Sequence, residues 1–256
     1  MAVAGTAVLL GRQYRLLARQ PVWIAIMLVQ PVVWLLLYSQ LFRRLPGIGG
    51  PGTTSYAEFL TPGVAIMTAF SHGSWEGAQT IRELEQGVFL RFLTTPLPAA
   101  ALVMARLGQA AITGLLQAAA ILVLALPLGV RVHGGAAGWL AVLVAAALVA
   151  ALFAGISDGL ALLLRREETV IAVGQFAVLP LTFLSTTLIA ASLMPHWMQA
   201  AAAVNPVDWA VVAAREATLR PTDWASVGQH LAQLGAAGAL ATAFALAALR
   251  QYRRRL

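Results

Sequence analysis

The chain has 256 residues, of which 60% are hydrophobic and 11% charged, with a net charge of +7 and a mean hydropathy of +0.79. A soluble globular domain is roughly 45–50% apolar and about 25% charged, so this composition excludes one and makes the membrane span the unit of reading. All 17 basic residues are arginine, with no lysine and no cysteine. The missing cysteine removes disulfides, thiolate metal sites and cysteine nucleophiles. The missing lysine removes the phosphate-binding G-x-x-x-x-G-K-[ST] loop, so any ATP that drives this protein binds another chain.

At the N-terminus, Arg12, Arg15 and Arg19 fall on one helical face, with Leu10, Tyr14 and Leu17 on another. This spacing predicts an interfacial helix over residues 1–20, or else a plain positively charged anchor. The apolar run that follows is a full span without a small-residue cleavage pattern, so it is expected to stay attached.

A charge at the bilayer centre is costly, so the charges mark the ends of the spans. Cutting there predicts six spans, at about 20–42, 59–81, 107–130, 134–164, 169–194 and 225–249. Twelve arginines then fall on the side of the two termini and five on the other, which predicts cytoplasmic termini. Arginines segregated in this way explain the positive charge without a nucleic-acid partner.

Two segments do not read as ordinary loops. Residues 82–98 mix charges with Leu84, Val88 and Phe92 on one helical face before Thr95-Pro96-Leu97-Pro98 stops the helix. This cytoplasmic amphipathic helix packs against either a partner or the lipid headgroups. Residues 195–223 hold Pro195, Trp197, Asn205-Pro206, Trp209 and Arg215 in an apolar external stretch. Its breaks predict short re-entrant helices or an amphipathic surface helix.

Glu83-Leu84-Glu85-Gln86-Gly87 followed by Leu93-Thr94-Thr95-Pro96, then Pro180 to Ser185, Met194-Pro195-His196-Trp197, Asn205-Pro206 and Arg215, closely resembles the ABC-2 type transporter permeases. Among these it is nearest to the daunorubicin-resistance type of antibiotic exporter. The resemblance implies an all-α integral membrane protein with a type V exporter-like fold, a single transmembrane domain over residues 1–256. It further implies a multi-pass permease of a bacterial cell membrane, exporting drugs, antibiotics or lipid-like molecules, as in multidrug efflux and antibiotic resistance. Two copies, or a copy and a paralogue, would sit on two separate ATPase subunits that bind ATP and Mg. The segment 82–98 would be the coupling helix, contributing Arg82, Glu83, Glu85, Gly87, Arg91 and Pro96. The segment 195–223 would form the re-entrant helices. Many family members carry a further charge where this chain has Val88 and Phe89.

Glu76 and Asp158 lie within apolar stretches, near the expected cytoplasmic interface. There they can pair with Arg82, Arg165 or Arg166, or snorkel outward, or else form a cation-attracting entrance or a proton step. Few other polar groups lie at mid-depth, which predicts an aromatic and aliphatic pathway including Trp34, Phe70 and Phe183, with Ser185 as a hydrogen-bonding group, and hence a lipophilic or amphipathic substrate. Thr182, Thr186 and Thr187 could bond substrate or their own backbone.

Two other classes compete. Gly155-Ile156-Ser157-Asp158-Gly159 satisfies G-x-S-x-G, and with His230 it suggests a rhomboid-like intramembrane serine protease, although the two residues fall at different depths. An ATP-independent channel or ion-coupled carrier would show charge rings or inverted repeats, and no convincing internal repeat is present. His72, His133, His196 and His230 are scattered too widely for a metal site, and no cofactor is expected in this chain.

Overall fold

A computed structural model describes residues 21–42, 55–87, 99–219 and 222–254. The N-terminal helix expected over 1–20, Arg91 and Pro96 all lie outside the described residues.

Among the described residues, eight α-helices follow one another: α1 (Pro21–Leu41), α2 (Tyr56–Glu85), α3 (Ala99–Ala125), α4 (Gly135–Leu164), α5 (Glu167–Phe183), α6 (His196–Ala203), α7 (Pro206–Thr218) and α8 (Trp224–Arg253). Three apolar segments, Ala100–Leu128, Gly135–Leu164 and Trp224–Arg253, are long enough to cross a membrane unaided, because a hydrocarbon core of about 30 Å needs about 20 helical residues.

Helix α4 occupies the centre and packs against α2, α3, α7 and α8. Its sequence explains this position, since runs of alanine and glycine let neighbouring backbones approach where no solvent drives helices together. Gly73 and Gly77 on α2 provide the matching surface. A Cβ at Gly73 would overlap the Ala150 carbonyl, and one at Gly77 would overlap Ser157. At the crossing, Ser157 Oγ donates to the Ser74 carbonyl at 2.8 Å and accepts from the Gly77 amide at 3.0 Å. On the other face of α4, Gly155 meets Ala241 and Gly159 meets the ring of Phe244, both on α8. Phe59, Leu60, Ile66 and Phe70 of α2 fill the core with Phe153, Ile121 and Val211.

Three boundaries differ from the sequence expectation. Helix α2 runs unbroken to Glu85, so Arg82, Glu83 and Glu85 form its last turn and do not open a separate helix; Gly87, at φ 68°, lies just beyond. Helix α3 begins at Ala99, eight residues before the expected start, because the charge of Arg106 is neutralised inside the bundle. Helix α5 ends at Phe183, well short of 194. Pro180 brings no amide hydrogen to its last turn, and the chain then turns toward α7.

Adding a methyl group to this packing tests it. Gly77→Ala forces the Cβ into Ser157 and is expected to destabilise the protein by about 1–3 kcal/mol, whereas Gly235→Ala on α8, with open space around it, should be neutral. Thermal unfolding followed by fluorescence-detected size exclusion measures both.

Candidate functional site

The side chain that joins the helices at the arginine-rich end is Arg106, buried in the second turn of α3. Its Nη1 donates to Glu83 Oε2 at 2.6 Å and its Nε to Asp158 Oδ2 at 3.1 Å. Its Nη2 donates to the Glu76 backbone carbonyl at 3.2 Å and lies 3.9 Å from Glu76 Oε2. Thr80 Oγ1 donates to the other oxygen of Asp158, and His72 Nε2 lies 3.2 Å from Glu76 Oε1. One guanidinium therefore binds α2 at two levels and α4 at one. The planar fork of arginine suits this task, because its donors point in fixed and different directions.

This arrangement corrects the expected pairing. Glu76 and Asp158 do not meet Arg82, Arg165 or Arg166, and they do not reach outward to solvent; they are 5% and 2% exposed and turned toward Arg106. Arg82 instead pairs with Glu167 at the start of α5, at 2.6 Å. Glu83, expected as an interface charge, is half-buried and pairs with Arg106 at the edge of the node, while Glu85 is exposed and has no ion pair among the described residues. The pairing role of Arg106 was missed because in the sequence it read as the end of a span.

A cavity of about 460 Å³ lies between α1, α2 and α3. Helix α2 lines it with Ser71, His72, Trp75, Gln79 and Arg82, a row with helical spacing. Gln30 of α1 and the buried Gln117 of α3 face the same space. A hydrogen-bonding face on α2 departs from the expectation of an aromatic and aliphatic pathway in which Ser185 is the hydrogen-bonding group. The three carboxamides come from three separate helices, so no local run of the sequence reveals the cavity.

The expected pathway residues do not share one space. Phe70 is buried edge-on against Phe153, and Trp34 stacks on Tyr38 at 4.9 Å. Phe183 and Ser185 line a separate cavity of about 150 Å³ beside α6, and Trp34, Phe70, Glu76 and Asp158 line neither cavity.

At the other end of the bundle, α7 completes the termination of α5. Asn205 Nδ2 donates to the Leu181 and Leu184 carbonyls while its Oδ1 caps α7 at the Val207 amide. Asp208 Oδ1 accepts from the amide and hydroxyl of Thr186, and Arg215 donates to the Thr186 carbonyl at 2.7 Å while lying 3.8 Å over the ring of Phe59. Ser185 donates to the Thr182 carbonyl at 2.7 Å. Carbonyls left open by the broken helix are thus satisfied by protein, as non-helical backbone at such a site requires. Pro195 caps α6, Pro206 opens α7, and Trp197 of α6 is exposed.

The protease reading fails on the same geometry. Ser157 sits inside a helix with its hydroxyl committed to α2, and His230 Nδ1 lies 2.9 Å from the Ser226 carbonyl. Gly155 packs at the level of Ala241, so His230 is about 16 Å farther along α8.

The fold and its buried charges define a multi-pass membrane subunit. The family model for the ABC-2 type transporter matches residues 5–219, and the chain belongs to that family. It is similar to the daunorubicin resistance ABC transporter permease protein DrrB1 of Streptomyces coeruleorubidus, at 29% identity over 84% of this chain and 75% of that protein. It is also similar to the inner membrane transport permease YadH of Escherichia coli K12, at 28% identity over 72% of each chain. A further relative is the putative transport permease ycf38 of Cyanophora paradoxa, at 27% identity over 80% of this chain and 70% of that protein. The chain is therefore a transporter permease, not an enzyme, and permeases of this family pair with ATPase subunits.

Breaking the node should cost more than neutralising it. Arg106→Met leaves buried carboxylates uncompensated, an expected loss of about 3–5 kcal/mol, or a fall in thermal midpoint of roughly 6–20 °C. Adding Glu76→Gln and Asp158→Asn to that variant should recover a large part of the loss, and no recovery would mean that the carboxylates do not depend on Arg106.

Proposed function

We propose that the chain is the membrane half of an ATP-driven exporter of lipophilic or amphipathic molecules, such as drugs, antibiotics or lipid-like compounds. Two permeases, identical or paralogous, work with two separate ATPase subunits that bind ATP and Mg. Six spans cross the cell membrane with both termini in the cytoplasm, and residues 195–223 form its external re-entrant segment. The segment 82–98 contacts the ATPase, through Glu85 and the residues that follow it.

The observation that carries this reading is the chain of contacts leading inward from that segment. Glu83 stands one turn from the connection, Arg106 holds Glu83, Glu76 lies against Arg106, and His72 joins Glu76 to the cavity wall. A displacement of the connection by ATPase closure would thus reach α3, α4 and the cavity through groups already in contact. Such coupling requires that the ATPase bind differently in the two states of the permease, so work enters as a differential contact. The name of the Streptomyces relative supports drug export as the direction and cargo.

The composition of the particle and the site of contact can be tested together. Native mass spectrometry after gentle extraction from the source membranes should detect two permeases with two ATPases. Glu85→Arg, at an exposed position, should leave the permease folded and reduce ATPase recovery at least about tenfold, as expected when one close charge contact at an interface is inverted. A particle that never contains an ATPase would contradict the transporter assignment. Full ATPase recovery with Glu85→Arg would contradict the location of the interface.

A further inference from the structure

The cavity between α1, α2 and α3 has a chemistry that selects among amphiphiles. Its volume of about 460 Å³ falls within the range of roughly 300–1,000 Å³ typical of small-molecule sites. Its ionisable lining groups among the described residues are His72 and Arg82, and each already has a carboxylate neighbour: Glu76 lies 3.2 Å from His72, and Glu167 lies 2.6 Å from Arg82. Glu76 does not itself line the cavity: one oxygen of its carboxylate lies behind His72 at 3.2 Å, and the other faces Arg106 at 3.9 Å. Among the described residues, the wall therefore offers neither an uncommitted carboxylate to a cation nor an uncommitted guanidinium to an anion.

What it does offer is amide and hydroxyl chemistry. Gln30 and Gln79 reach it from two helices, with Ser71 beside them. A carboxamide both donates and accepts, which matches hydroxyl and amide groups that do the same. A quaternary ammonium has no proton to donate and needs negative charge or an aromatic cage, and among the described residues Trp75 is the indole that lines this space. Bringing an unpaired ion of either sign into such a site costs far more than burying a hydrogen-bonded neutral group. Met67, Pro31 and the face of Trp75 supply an apolar surface for the remainder of the molecule.

We infer that this cavity binds a neutral amphiphile, one whose head is rich in hydroxyl or amide groups and whose body is apolar, in preference to a lipophilic cation or anion. The inference rests on the transporter reading for its biological meaning, since it names the class of molecule that the exporter accepts. The binding preference itself is a property of this chain alone.

The test uses the full chain in lipid nanodiscs without ATP, and three photoreactive probes that share one diazirine-bearing dodecyl tail and end in glucoside, trimethylammonium or phosphate. Crosslinks competed away by an excess of the unreactive analogue are mapped by peptide mass spectrometry. The glucoside should label residues 67–82 at least about fivefold more than either charged probe. Gln79→Leu, at an exposed position, should reduce that labelling roughly 5–10-fold, the worth of one hydrogen bond to a committed polar group. Gln79→Glu should reverse the order in favour of the ammonium. Equal or stronger labelling by a charged probe, labelling outside the cavity, indifference to both Gln79 substitutions, or no competed labelling at all would each overturn the assignment. The absence of any ATPase partner would defeat the transport reading while leaving this order of binding measurable, so the two failures are distinguishable.

Discussion

A single guanidinium withdrawn from water constrains one whole end of this molecule. Removing an ion from water costs several kcal/mol, and Arg106 is tolerated inside the bundle only because carboxylates approach it from different directions. Glu76 and Glu83 stand seven residues apart, about two turns or 10 Å along α2. To place the second of them within reach of α3, α2 must continue past residue 81, and it does so as far as Glu85. Asp158 fixes the rotation of α4 in the same way, and Ser157 beside it locks α4 to the glycine face of α2. The node is less a source of net stability than a means of setting depth and register, the role for which buried ion pairs are best attested.

That constraint explains how the molecule can convey a displacement. The end of α2, the beginning of α3 and the inner part of α4 share one charge cluster, and the connection between α2 and α3 leaves directly from it. At the opposite end, Asn205, Asp208 and Arg215 fasten the broken terminus of α5 to α7. Between the two anchors α5 is mostly bare, with Phe176, Leu179 and Phe183 exposed in a row. A helix that packs on α2 by one face, at Gly174, and leaves the other open is suited to a lipid-facing or subunit-facing position in a larger assembly.

Much of this organisation was legible in the sequence, and the parts that were not share a physical cause. Apolar runs bounded by arginine locate α4 and α8 to within a few residues, even though Asp158 inside the first run is compensated by Arg106 of α3. The rule that charges end spans misplaces the start of α3 and the end of α2, since it treats Arg106 and Glu83 as solvated when each neutralises the other. Gly155 to Gly159 carries a protease-like pattern, yet the two glycines face α8 and the serine faces α2, a division that only the helix phase against its neighbours reveals. Asn205 and Arg215 are unusual polar residues in an apolar stretch; that Asn205 caps α5 and Arg215 holds the chain just beyond it shows only once α7 packs against a helix that ends 22 and 32 residues earlier in the chain. The glutamine-lined cavity had no signal in any single segment, because its carboxamides converge only after three helices pack.

The most direct test of the account asks whether the node makes these three helices one rigid unit. The absence of native cysteine allows spin labels at Gln86→Cys and Leu164→Cys, both exposed positions at the ends of α2 and α4, with pulsed electron paramagnetic resonance distances recorded in the permease–ATPase complex with and without ATP. The account predicts a distance within one subunit that is the same in both states, and that becomes broad and ATP-dependent in Arg106→Gln. A native distance that shifts with ATP, or an Arg106→Gln distance as narrow and invariant as the native one, would contradict the claim that Arg106 carries the coupling.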